Sequence, residues 1–76
     1  MKPVSGTYHF TVTGPPPFNV TYTIDAAGVH TTFGVLIWEA EGDCFRLNDI
    51  ALRFVDGTTF IGIHGPANYS GTYTRE

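Results

Sequence analysis

The sequence predicts an all-β fold: an antiparallel meander of about six strands, forming a small barrel or a strongly bent sheet. Three observations carry this. Apolar and polar residues alternate with a period of two through most of the chain, as they do along half-buried strands. The alternating stretches are separated by Gly, Pro, Asn and Asp, residues that turn the chain. And Ser5-Gly6-Thr7-Tyr8 recurs as Ser70-Gly71-Thr72-Tyr73, at opposite ends of the sequence. A sheet has to deal with its unpaired edges, and pairing the first strand with the last removes them.

Residues 5–13 read as the first strand, with Tyr8, Phe10 and Val12 on one face and Thr7, His9, Thr11 and Thr13 on the other. Gly14-Pro15-Pro16-Pro17 ends it, because proline cannot donate to a sheet ladder; the prolines are expected to form a stiff connector. Residues 18–25 form the second strand, with Phe18, Val20, Tyr22 and Ile24 on its apolar face. Residues 25–28 are a turn.

The third strand is the most apolar run of the chain, Thr31 to Trp38, and holds the only tryptophan. As one strand it places Phe33, Val35 and Ile37 on one face, and His30, Thr32, Gly34, Leu36 and Trp38 on the other. Unbroken from Val29 to Ala40 it would reach roughly 40 Å. A bend is expected, with Gly34 as its natural place. Both faces are apolar near Trp38, so both need covering, by the chain itself, by a second copy or by a ligand.

Residues 39–43 are an acidic turn, and 44–47 a short strand. Residues 48–55 have two readings. Ile50, Leu52 and Phe54 alternate as in a strand; Leu47, Ala51 and Phe54 also fit one short helix capped by Asn48 or Asp49. Strand is preferred, because Asp56-Gly57 follows and signals a hairpin. Residues 58–63 are the return strand, 64–68 a loop, and 69–76 the last strand.

The 76 residues make one domain, 1–76. A chain of this size buries only about 60% of its unfolded surface and tends to need a staple. One cysteine, Cys44, allows no internal disulfide. A homo-oligomer is therefore expected. The net charge of -3 and four basic residues argue against nucleic acid or an anionic membrane as partner. The lone cysteine and the opening Met1-Lys2-Pro3-Val4-Ser5 point to a cytoplasmic location.

No cofactor is expected. His9, His30, His64 and Cys44 lack the tight local pair typical of zinc sites. The carboxylates of residues 39–43 lack the spacing of a calcium loop. No nucleophile motif or phosphate loop occurs, so no catalytic residue is assigned.

The leading expectation is a non-catalytic binding protein for a small polar or aromatic ligand. In a three-strand meander the polar faces of the first strands coincide, bringing His9 and His30 among threonines and on towards Trp38. Trp38 would stack on the ligand, with His30, His9 and Tyr22 beside it and Arg53 and Arg46 as anion contacts. The alternatives are an inhibitor-like module docking its acidic surface on a basic protein partner, and a small barrel enzyme with a histidine acid or base.

Overall fold

The period-two alternation runs through eight strands in the computed structural model, which describes residues 1–76. They are β1 (Gly6–Val12), β2 (Phe18–Asp25), β3 (Gly28–Thr31), β4 (Gly34–Trp38), β5 (Cys44–Leu47), β6 (Ile50–Phe54), β7 (Thr59–His64) and β8 (Ala67–Arg75). Each pairs antiparallel with the next, and β8 pairs with β1 to close the barrel. The repeated tetrads therefore lie on neighbouring strands, and their tyrosines, Tyr8 and Tyr73, meet in the interior with ring centroids 5.7 Å apart.

The strand count exceeds the expected six or so mainly because the Thr31–Trp38 run is a hairpin. Thr31 pairs with Gly34 across the two-residue turn Thr32-Phe33. The Thr31 hydroxyl donates to the Gly34 carbonyl (2.8 Å) and accepts from the Phe33 amide (3.1 Å), so a side chain satisfies the backbone of the turn. Gly34 has φ 136°, where a side chain would be strained. An even-length turn also reverses parity. His30 points outward, whereas Leu36 and Trp38 point inward, so Trp38 does not share a face with His9 and His30.

The helical reading of residues 48–55 gives way to strand β6. Asn48 takes φ 54°, which ends β5 in a two-residue turn with Leu47 opposite Ile50. Asp56-Gly57 lies in a hairpin as expected, but in a longer loop. There the Asp56 carboxylate accepts from the Thr58 and Thr59 amides (2.7 and 2.9 Å).

An eight-stranded barrel has an interior just wide enough to be filled by side chains or to hold one small ligand. Here aromatic rings fill one end. Phe10 sits at their centre, with centroids 5.1 Å from Phe60, 5.3 Å from Tyr22 and 5.7 Å from Tyr73. Phe45, Phe54, Ile24, Val29 and Leu36 are also fully buried, and Val12, Ala51 and Leu52 nearly so. No charged or polar side chain is fully buried.

The up-and-down order puts the turns after β2, β4 and β6 and both termini at this filled end, which the N-terminal residues cover. The Met1 ammonium donates to the Phe54 carbonyl (2.7 Å), and Lys2 Nζ lies 5.7 Å from the Trp38 ring centre. Trp38 packs edge-on against Phe45 at 4.9 Å. The barrel itself thus covers the inner side of the tryptophan strand, which removes the need for a second copy or a ligand there.

Phe10→Ala should lower the unfolding free energy by about 3–5 kcal/mol. Urea titration followed by the fluorescence of Trp38 measures it; a loss under about 1 kcal/mol would mean that the aromatic cluster is not the core.

Candidate functional site

The turns after β1, β3, β5 and β7 gather at the other end of the barrel, and there the interior is open. A cavity of about 490 Å³ lies between the β1–β2 connector, the Thr32-Phe33 turn and the start of β8. That is within the range of sites that hold small molecules. Its wall is built by inward positions of four strands: Val12 of β1, Val20 and Tyr22 of β2, His64 of β7, Ala67 and Tyr69 of β8. Below it a recess of about 20 Å³ reaches Phe10, Leu52 and Phe60, the top of the packed core.

The rim is apolar. Phe18 is 50% exposed and Phe33 64% exposed, and Phe33 leans towards His64 with ring centroids 5.8 Å apart. Pro15 and Pro16 form part of the same edge, so the prolines do more than connect two strands. Asn19, Asn68 and Thr32 add neutral polar groups. No Lys, Arg, Asp or Glu lines the cavity.

The four tyrosines divide by position. At the filled end, the Tyr8 hydroxyl donates to the Val4 carbonyl (2.6 Å), and the Tyr73 hydroxyl donates to the Asp56 carbonyl. At the open end, the Tyr22 and Tyr69 hydroxyls donate to no protein acceptor, and both remain open to the cavity. Gly62, opposite Tyr69 on β7, lets that ring lie against the strand, since a β-carbon there would run into it. Burial pushes the phenol of Tyr22 above its ordinary value. Burial raises Tyr69 as well, and the neighbouring Tyr22 adds to that. Both are neutral donors at physiological pH.

Of the six residues expected to bind a ligand, only Tyr22 lies at this opening. Trp38 is half-buried at the opposite end of the interior. His9 and His30 stand on the outer wall, where His9 Nδ1 meets the Thr21 hydroxyl (3.1 Å) and His30 Nε2 meets Asp25 (2.8 Å). Arg46 and Arg53 are also outside, held by Glu39 and by Asp43 (3.0 Å). The expected cluster of these six residues therefore does not form; the parity reversal at Thr32-Phe33 separates Trp38 from His9 and His30, and the two arginines are held outside by carboxylates. Tyr69, His64, Phe18 and Phe33 were missed. The alternation of Ala67, Tyr69, Gly71 and Tyr73 carried the signal for Tyr69.

Cys44 donates its thiol to Glu39 (3.1 Å), and burial, then this bond, push its pKa up. It is a poor nucleophile. No three His, Cys, Asp or Glu side chains converge. The carboxylates concentrate at the filled end: Asp25, Glu39, Glu41, Asp43 and Asp56 lie in or beside its turns and Glu76 follows β8, leaving only Asp49 at the open end. Comparison with family models, with curated proteins and with solved structures finds no match.

The titrations give a two-sided pH dependence. Asp25, Glu39, Asp43 and Asp56 are held below their usual range by hydrogen bonds, first from His30, from Cys44, from Arg53 and from the Thr58 amide respectively. Their contribution is present above roughly pH 4 and is lost as the pH falls through the depressed values. The raised Tyr22 and Tyr69 act oppositely: their contribution is complete below roughly pH 10 and is lost as the pH rises. Tyrosinate absorbance should therefore show late-ionising groups that Tyr22→Phe and Tyr69→Phe remove. An unchanged titration in both variants would contradict the burial of these phenols.

Proposed function

We propose that this protein is a non-catalytic binding protein whose barrel takes a small, mainly apolar ligand at its open end. The observation that carries this reading is the pair of half-buried Tyr22 and Tyr69 hydroxyls, with no protein acceptor, on the wall of a cavity of about 490 Å³. A core built for packing alone would bond them, as it bonds Tyr8 and Tyr73. The exposed rim rings of Phe18 and Phe33 supply apolar area where a ligand enters. Burying about 200 Å² of apolar ligand surface is worth about 5 kcal/mol before the costs of association.

An acidic docking surface has less support. Glu39, Asp43 and Asp25 are already engaged by Arg46, Arg53 and His30. Self-association has a separate basis, on the outside of the barrel. Ile37, Arg46, Ala51 and Ile63 are successive partners across β4 to β7. Ile37 is well exposed, and Ile63 is partly so. This outward band, not Trp38, is the basis for a homo-oligomer.

The binding test uses the neutral dye N-phenyl-1-naphthylamine. Ala67→Trp, which places an indole inside the opening, should weaken dye binding at least tenfold, whereas Trp38→Phe should leave it unchanged. Equal binding by the Ala67 variant and the parent would place the dye elsewhere and defeat the reading. For self-association, native mass spectrometry should show Ile37→Lys shifting any multimer towards the single chain; a mass distribution identical to the parent's would remove that band from the interface.

A further inference from the structure

Four features of the open end bear on what kind of compound it takes. The cavity lining has no Lys, Arg, Asp or Glu. Its wall is apolar, from Val12 and Val20 down to the recess above Phe10. Tyr22 and Tyr69 stand on the wall of the same cavity. Each presents a proton that no protein atom accepts.

The first two features disfavour ions. A carboxylate or ammonium moved from water into this wall would lose hydration without meeting a Lys, Arg, Asp or Glu, the His64 imidazole being the only ionisable group beside the phenols, and that loss is costly. The last two features make a demand on the ligand. A compound that fills the cavity displaces water from the two hydroxyls. Unless it brings an acceptor, two donors are left with nothing to bond, and that costs more than the bonds themselves would contribute. A carbonyl oxygen, with two lone pairs, is an acceptor for such phenols. An aromatic or other flat body fits the remaining wall, since Phe18 and Phe33 offer ring faces and edges at the rim.

We propose that the open end selects neutral ring compounds carrying a carbonyl oxygen as acceptor for the free hydroxyls of Tyr22 and Tyr69. This rests on the reading of the cavity as a ligand site and adds its selectivity. Tyr22 and Tyr69 are specificity-determining residues here; the apolar wall supplies the affinity common to all ring compounds of suitable size.

Three probes of one skeleton test it: ethylnaphthalene, acetonaphthone and naphthoate, titrated against the full chain by isothermal calorimetry and by amide chemical shifts in NMR. The ketone should bind about tenfold tighter than the hydrocarbon, and tighter than the carboxylate. Tyr22→Phe and Tyr69→Phe keep the rings and remove only the hydroxyls, so the fold is spared. Each should cut the ketone's advantage by at least threefold and leave ethylnaphthalene unchanged. Tyr8→Phe, at the filled end, should leave the advantage intact. If all three probes bind at the open end with equal affinity, or the advantage survives in both open-end variants, the carbonyl selectivity is wrong and the ligand site stands. If none of the three shifts the open-end amides, the ligand site fails as well.

Discussion

The circumference of the closed sheet governs this molecule. Eight antiparallel strands enclose a bore of fixed width, and whatever points inward has to fit it. In 76 residues the chain meets that constraint with aromatic side chains, each of which buries a large area for two rotatable bonds. Phe10, Phe45, Phe54, Phe60 and Tyr73 pack edge to face across the bore. Closure also removes sheet edges: backbone groups that would template aggregation in an open sheet are paired between β1 and β8. A chain with no disulfide and no buried charge is held by this combination of ring packing and a continuous ladder.

The aromatic filling does not extend along the whole bore. It ends near Phe10 and Phe60. Beyond that level the inward positions on the cavity wall are Val12, Val20, His64, Ala67 and the two tyrosines, with Gly62 opposite Tyr69, and Phe18 and Phe33 stand exposed at the rim. Glycine at position 62 matters for this, because it draws the Tyr69 ring onto the wall and away from the middle. The open end is thus formed by the same alternation that builds the core, with Val12, Val20, Gly62 and Ala67 at inward places where the core has rings. The tyrosines there keep their polar ends towards the void, while those of the filled end are tied to backbone carbonyls.

Much of the fold was legible in the sequence. Alternation located β1, β2, β6, β7 and β8, and the repeated tetrad anticipated their closure into a ring. The site was not legible, for one local reason. A run of eight residues rich in β-branched and aromatic types reads as one strand, and nothing in its hydrophobicity marks the turn at Thr32-Phe33. The signal lay in a hydroxyl and a hydrogen atom: Thr31, able to bond the turn, and Gly34, able to take φ 136°. Assigning that turn moves Trp38 to the inside and leaves His30 outside, and the expected ligand face dissolves. Tyr22 survived because β2 is uninterrupted. Tyr69 was on an equally regular strand, but its place on the same cavity wall depends on β8 pairing with β1, a property of the closed ring and not of either strand alone. Arg46 and Arg53 looked available as anion contacts because their acidic neighbours come from a turn folded back beside them.

The segregation of charge along the barrel axis has a kinetic consequence. With nearly every carboxylate at the far end and a neutral rim around the opening, an uncharged visitor meets no guiding field. Its arrival is set by unassisted diffusion and by the fraction of encounters in which it happens to face the rim, and dissolved salt has no lever on that rate. Capture by such a mouth would proceed at the same pace in dilute buffer and in brine, leaving the lifetime of the bound state as the quantity through which one guest is preferred to another.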